Sequence, residues 1–197
     1  MANLCDTTYK VTGKRESVMQ MWDILKQLEV NSRNVSLSRL AESYGIDYEE
    51  RGIGVRGHIY FADLEEEKDG TLLLSFDTET AWSACYSLFL AIEECSEDSL
   101  SFSYREIEPG CEVFYIHDEG DFFPESLIII CGGDENFEEY NEDTFTSIKE
   151  IATLWCELMG LPEDFLKGKG EEEITDFINA YEYEDERFFN IYEFSRI

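Results

Sequence analysis

The chain has 197 residues, a formal net charge of −30, 43% hydrophobic and 14% aromatic side chains. It is too apolar for a disordered polyelectrolyte, and long enough for one domain plus a small appendage burying about 70% of its unfolded surface. Its charge opposes direct binding to nucleic acid or an anionic membrane, where affinity rests on Lys and Arg, and permits a cationic protein partner.

Thr7–Thr12 is β-branched and aromatic and predicts a strand, ended by Gly13. Val18, Met21, Trp22, Leu25 and Leu28 then fall on one face of a helix. Ser36–Tyr44 predicts a short helix, followed by a glycine-punctuated loop, so 35–57 reads as an insertion. His58–Leu64 and Thr71–Thr78 predict a strand pair around a loop ending in Asp69-Gly70. Ala84, Leu88, Ala91, Ile92 and Cys95 recur at helical spacing from Ser83 onward, and Leu100–Ile107 alternates at period two. The order β-α-β-β-α-β is the ferredoxin-like split βαβ, an antiparallel sheet with helices on one face.

After the Pro109-Gly110 turn, Glu112–His117 and Glu125–Cys131 predict a further hairpin across Asp118–Asp121, extending the same sheet. Asp134–Asn141 reads as an acidic loop, Asp143 as the N-cap of a helix carrying Phe145, Ile148, Ile151 and Trp155, and Ile174–Tyr181 as a last helix. The expected organisation is thus α+β: a domain over 1–131, and an acidic helical extension over 132–197 packing on it.

Residues 1–62 hold eight acidic and eight basic side chains, whereas residues 63–197 hold 37 and 7, so the net charge lies in the last two thirds. The chain opens Met1-Ala2-Asn3-Leu4 with no basic start and apolar stretch behind it, and no apolar run approaches the ~18 residues of a membrane span. The expected address is cytoplasmic. There the six cysteines, never spaced C-x-x-C, are expected as reduced thiols with no zinc site.

Gly52-Ile53-Gly54-Val55-Arg56-Gly57 satisfies G-x-G-x-x-G, but it opens a strand where a dinucleotide loop must open a helix. Leu40–Ile46 resembles the first half of a helix-turn-helix, but acidic Asp47–Arg51 follows in place of a basic recognition helix. The Asp134–Asp143 segment lacks the glycine and final glutamate of a calcium loop. No catalytic residue, metal or cofactor is predicted.

Thr78–Cys85 places a Trp, a carboxylate and a thiol at a strand-to-helix turn. Ser83 is expected to cap the helix, and Cys85 to sit in its first turn, where thiol pKa values fall. With Arg56-Gly57-x-Ile59, Glu108-Pro109-Gly110, Phe123-Pro124 and the Met1-Ala2-Asn3 opening, this turn resembles the YubB-like ferredoxin-like proteins of bacterial chromosomes, plasmids and phages. The family has Pro after Trp-Ser where this chain has Ala84. The resemblance spans roughly residues 1–130 and implies a ferredoxin-like fold with no established activity.

Two functional readings follow. The first is a non-enzymatic interaction protein that meets a basic protein, as a mobile-element protein imitating DNA charge would, with Glu135, Glu138, Glu139 and Glu142 as candidate contacts. The second is a small-molecule-binding or enzymatic domain with its site at the Trp82 turn, with Arg56, Glu79, Trp82, Cys85 and Glu108 as candidate ligand contacts.

Overall fold

In the computed structural model, which describes residues 3–30, 34–162, 164–183 and 185–197, the alternation of Leu4–Gly13 (β1) buries Cys5, Thr7, Tyr9 and Val11. Leu72–Ala81 (β4) opens with three buried leucines in a row, and from Phe76 onward every second residue is buried. β1 pairs antiparallel with β4 on one side and with Leu100–Glu108 (β5) on the other, so Tyr9 faces both Phe76 and Tyr104. Gly57–Glu66 (β3) pairs with β4, and the two-residue Val35–Ser36 (β2) pairs with β3.

Helices Arg15–Glu29 (α1), Leu37–Ser43 (α2) and Tyr86–Cys95 (α3) supply Val18, Met21, Leu25, Leu37, Leu40, Leu88 and Phe89 to a single core around Tyr9 and Phe76. Tyr9 stacks on Phe76 with centroids 4.9 Å apart and meets Phe89 at 4.2 Å. The inserted helix expected within 35–57 is α2, and Gly52–Gly57 opens β3 as its sequence context requires.

The chain falls into two units, Met1–Phe123 with Arg196–Ile197, and Pro124–Ser195. In the first, Val113–His117 (β6) pairs with β5, and the short strand Ser195–Arg196 (β10), whose Arg196 belongs to this unit, lies beside β6. The sheet order is therefore β10-β6-β5-β1-β4-β3-β2. The protein is α+β, with a large, mostly antiparallel sheet.

The predicted hairpin between 112–117 and 125–131 does not form. Asp118 closes the loop after β6, its Oδ1 accepting from the N–H groups of Gly120 and Phe122 and its Oδ2 from that of Phe123. Leu127–Gly132 (β7) lies instead in the second unit, at the centre of a sheet with Thr144–Phe145 (β8) and Phe188–Glu193 (β9). The boundary thus falls after Phe123, not after Cys131, and the C-terminal part carries a sheet as well as helices. Those helices are Glu135–Glu138 (α4), Ile148–Leu158 (α5) and Glu171–Asn179 (α6), and their core includes Phe137, Trp155, Ile178 and Phe189. Ser147, not Asp143, caps α5.

Gly57 is required by close approach: a Cβ there would stand 2.5 Å from the Glu79 carbonyl and 2.9 Å from Thr80 Cα. Both are backbone of the paired strand and cannot swing aside. Gly57→Ala is expected to destabilise the protein by roughly 1–3 kcal/mol, the usual cost of overpacking. Urea unfolding checks this, and an unchanged midpoint and slope would refute it.

Candidate functional site

The core face of the first sheet changes character past Tyr9. Cys5 and Thr7 on β1, Thr78 and Thr80 on β4, and Glu106 and Glu108 on β5 continue the face that carries Tyr9, Phe76 and Tyr104. The register sets Thr7 opposite both Thr78 and Glu106. Glu106 is only 5% exposed. Its Oε1 accepts from the Ala84 N–H at 2.9 Å and from the Cys5 thiol at 3.4 Å.

Burial raises the Glu106 pKa above the ordinary carboxylate range. The Ala84 N–H and Cys5 thiol work the other way, and nearby Glu108 adds to the rise. Burial likewise pushes the Cys5 thiol up to about 12. Thr78 Oγ1 is buried with no hydrogen-bond partner among the described residues.

Ala84 belongs to the turn that joins β4 to α3, and strand side chains hold that turn. Thr80 Oγ1 donates to the Ser83 carbonyl at 2.6 Å, and the Tyr9 hydroxyl to the Ala84 carbonyl at 2.6 Å. Trp82 N–H donates to the Asn3 carbonyl. Trp82 and Cys85 both adopt positive φ, 76° and 54°, in the left-handed region that L-residues avoid.

The structure therefore corrects the expected cap. α3 begins at Tyr86, with Cys85 at the N-cap position and no side-chain cap, and Ser83 lies three residues upstream. Trp82 is 51% exposed. Cys85 is buried, and burial pushes its thiol up despite an opposing hydrogen bond from the Arg56 backbone, the reverse of a reactive cysteine.

A cleft of about 340 Å³ opens at this turn, lined by Arg56, Ser83, Cys85, Ser87 and Glu106 among others. Of the five ligand candidates read from sequence, Arg56 and Cys85 meet here and Trp82 stands in the adjoining turn. Glu79 does not join them, because it alternates to the other face of β4, where its Oε1 lies 4.0 Å from His58 Nε2. Glu108 is buried and caps the Pro109–Cys111 turn through its Oε2, 2.6 Å from the Cys111 N–H.

Glu106 escaped the sequence reading although a signal was present. It continues the period-two row Leu100, Phe102, Tyr104, a carboxylate on a strand's apolar side.

In the second unit Asp134 caps α4, its Oδ1 accepting from the N–H groups of Asn136 and Phe137 at 3.0 Å. The stretch expected as an acidic loop is thus a short helix and a turn. Glu135 and Glu138 lie on the helix, Glu139 follows it, and Glu142 adopts φ 68° in the turn beyond. A separate cleft of about 570 Å³ is lined by four carboxylates, Glu171, Glu172, Asp176 and Glu193, with hydroxyls such as Ser147 and Thr175 and no Lys or Arg. Its residues come from α6, β9, the start of β7 and the start of α5, so no local pattern announces it.

Among the described residues no group of three His, Cys, Asp or Glu is arranged to hold a metal ion, and no helix is long and apolar enough to cross a membrane. The six cysteines are unpaired, four buried and two, Cys95 and Cys111, exposed. No protein-family model, no curated protein and no solved structure matches the chain.

Two outcomes test this description. Thr80→Val is expected to cost about 1–2 kcal/mol by stranding the Ser83 carbonyl, and Ser83→Ala less than about 0.5 kcal/mol because its hydroxyl caps nothing. Chemical denaturation of the pair checks this, and the reverse ranking would restore Ser83 as cap.

The second outcome concerns pH. With its folded pKa raised, Glu106 keeps its proton over a range where the unfolded chain has lost it. Its favourable contribution is therefore full below the ordinary carboxylate range and lost as pH rises through the raised value. Glu106→Gln keeps a carbonyl for Ala84 and Cys5 without the charge. The variant is expected to melt higher than wild type at neutral pH, with the gap closing in acid. A gap of opposite sign at neutral pH would overturn the assignment.

Proposed function

We propose that this protein is a non-enzymatic interaction protein whose second unit receives a cationic segment of a partner protein. The observation that carries the reading is the cleft of about 570 Å³ lined by Glu171, Glu172, Asp176 and Glu193 without a base. Four carboxylates around one recess repel each other, and a Lys or Arg side chain entering it relieves that repulsion while forming charge-assisted hydrogen bonds. The composition agrees: Pro124–Ser195 holds 20 acidic against 4 basic residues. Glu135, Glu138 and Glu139 supply a further exposed acidic surface on and beside α4.

For the first unit, a ferredoxin-like arrangement is the reading we favour. The order β5-β1-β4-β3, antiparallel at each of its pairings, with α1 following β1 and α3 following β4, supports it. The YubB-like resemblance rests on its sequence pieces, and several of these lie side by side. Arg56 accepts from the Ala81 N–H, Asn3 accepts from the Trp82 N–H, and Asn3 also donates to Cys111 beside Pro109-Gly110. Met1 and Ala2 lie outside the described residues.

A fluorescein-labelled oligolysine peptide tests the partner chemistry by anisotropy. Binding is expected to weaken steeply as salt rises, since the screening length is already about 8 Å at ~0.15 M. The triple reversal Glu172→Lys, Asp176→Lys, Glu193→Lys is expected to weaken it about tenfold or more, and reversal of Glu135, Glu138, Glu139 and Glu142 by less, although the latter removes more negative charge. An equal or larger loss in the four-residue variant would reduce the attraction to the overall field. Binding insensitive to salt would reject the electrostatic reading.

A further inference from the structure

We propose that the cleft between Arg56 and Glu106 binds a small anionic molecule that also carries a hydrogen-bond donor. The cleft lies wholly in the first unit, so the inference is independent of the acidic recess. Its volume of about 340 Å³ is at the small end of ligand sites.

Glu106 lines this cleft and is 5% exposed, yet only half of its carboxylate is used. Oε1 takes both the Ala84 N–H and the Cys5 thiol, whereas Oε2 accepts no hydrogen bond among the described residues. That second oxygen is left for a donor, and the cleft that Glu106 lines is the direction from which one can come.

Arg56 supplies the opposite chemistry. It is exposed and lines the cleft, and its guanidinium makes no ion pair among the described residues, although the protein has 45 acidic side chains to 15 basic ones. The ten-residue helix α3 starts at this point without a side-chain cap, and its first residues, Tyr86 and Ser87, also line the space. An anionic oxygen group placed here meets a guanidinium fork and the positive end of a helix together. The same molecule's N–H or O–H then meets Glu106 Oε2. The two left-handed residues, Trp82 and Cys85, flank the Ala84 N–H that holds the other oxygen, so the strained turn aims the carboxylate.

Amide NMR titration of the full chain with three probes tests this: N-acetylglycine, a carboxylate with an amide N–H; glycerol phosphate, a phosphate ester with hydroxyl donors; and acetate, an anion without such a donor. Saturable shifts centred on Ala84–Ser87 are expected with one of the first two, which also tells a carboxylate ligand from a phosphate ester, and weaker binding with acetate. Arg56→Ala, an exposed position outside the core, and Glu106→Gln, which offers a donor where an acceptor is needed, are each expected to weaken binding about tenfold or more. If the Glu106 variant fails to fold, Arg56→Ala decides alone. The proposal is overturned if neither donor-bearing probe gives saturable shifts there, if acetate binds as well as they do, or if the folded variants bind like wild type.

Discussion

The carboxylate of Glu106 is buried at the end of a sheet face that is otherwise apolar, and it holds the backbone N–H of Ala84. With the Tyr9 hydroxyl on the Ala84 carbonyl and Thr80 on the Ser83 carbonyl, it ties the 81–85 turn to three strands at once. Two non-glycine residues in the left-handed region disfavour that turn by about 1–3 kcal/mol each. Hydrogen bonds of about 1 kcal/mol apiece, and the core contacts of Tyr9 with Phe76 and Phe89, offset this strain. The position of α3, and with it the cleft beside Arg56, follows from this anchoring.

Charge constrains the second unit differently. With 20 acidic residues and 4 basic ones, Pro124–Ser195 cannot neutralise itself by internal ion pairs. Arg187 shows how a single base is shared: it reaches Asp134 at 3.7 Å and Asp185 at 2.9 Å while lying over Phe137 and Tyr183. Cohesion comes from apolar burial instead, with Trp155 fully enclosed and its indole N–H donating to Tyr183. None of the described carboxylates of this unit is buried, and the recess lined by Glu171, Glu172, Asp176 and Glu193 concentrates four of them. Apolar cohesion thus leaves the surface of this unit strongly negative, which is the property the proposed cationic partner would use.

The two clefts differ in chemistry because they draw on different parts of the chain. The Arg56 cleft borders residues 1–62, where acids and bases balance, so a guanidinium stays available for an anion. The acidic recess is made entirely from Pro124–Ser195, where an acidic residue is five times as common as a basic one.

The sequence by itself determined the elements of the first unit. Alternation at Tyr9 and Val11, helical spacing of Val18, Met21 and Leu25, and the row Leu100, Phe102, Tyr104 are local patterns, and a local pattern carries its own secondary structure. Partner choice is not local. Leu127–Gly132 reads as a strand in any context, but only the Asp118 turn and the return of β9 decided that it joins a second sheet. The start of α3 was misplaced for the same reason: Ser83 has the chemistry of a cap, but Tyr9, Thr80 and Glu106 fixed the turn from positions 3 to 75 residues away. The clefts lay furthest from view. Arg56, Cys85 and Glu106 on one side, and Asp176 and Glu193 on the other, become neighbours only when strands and helices have packed, because spatial adjacency between distant segments is set by tertiary contact and leaves no period in the sequence.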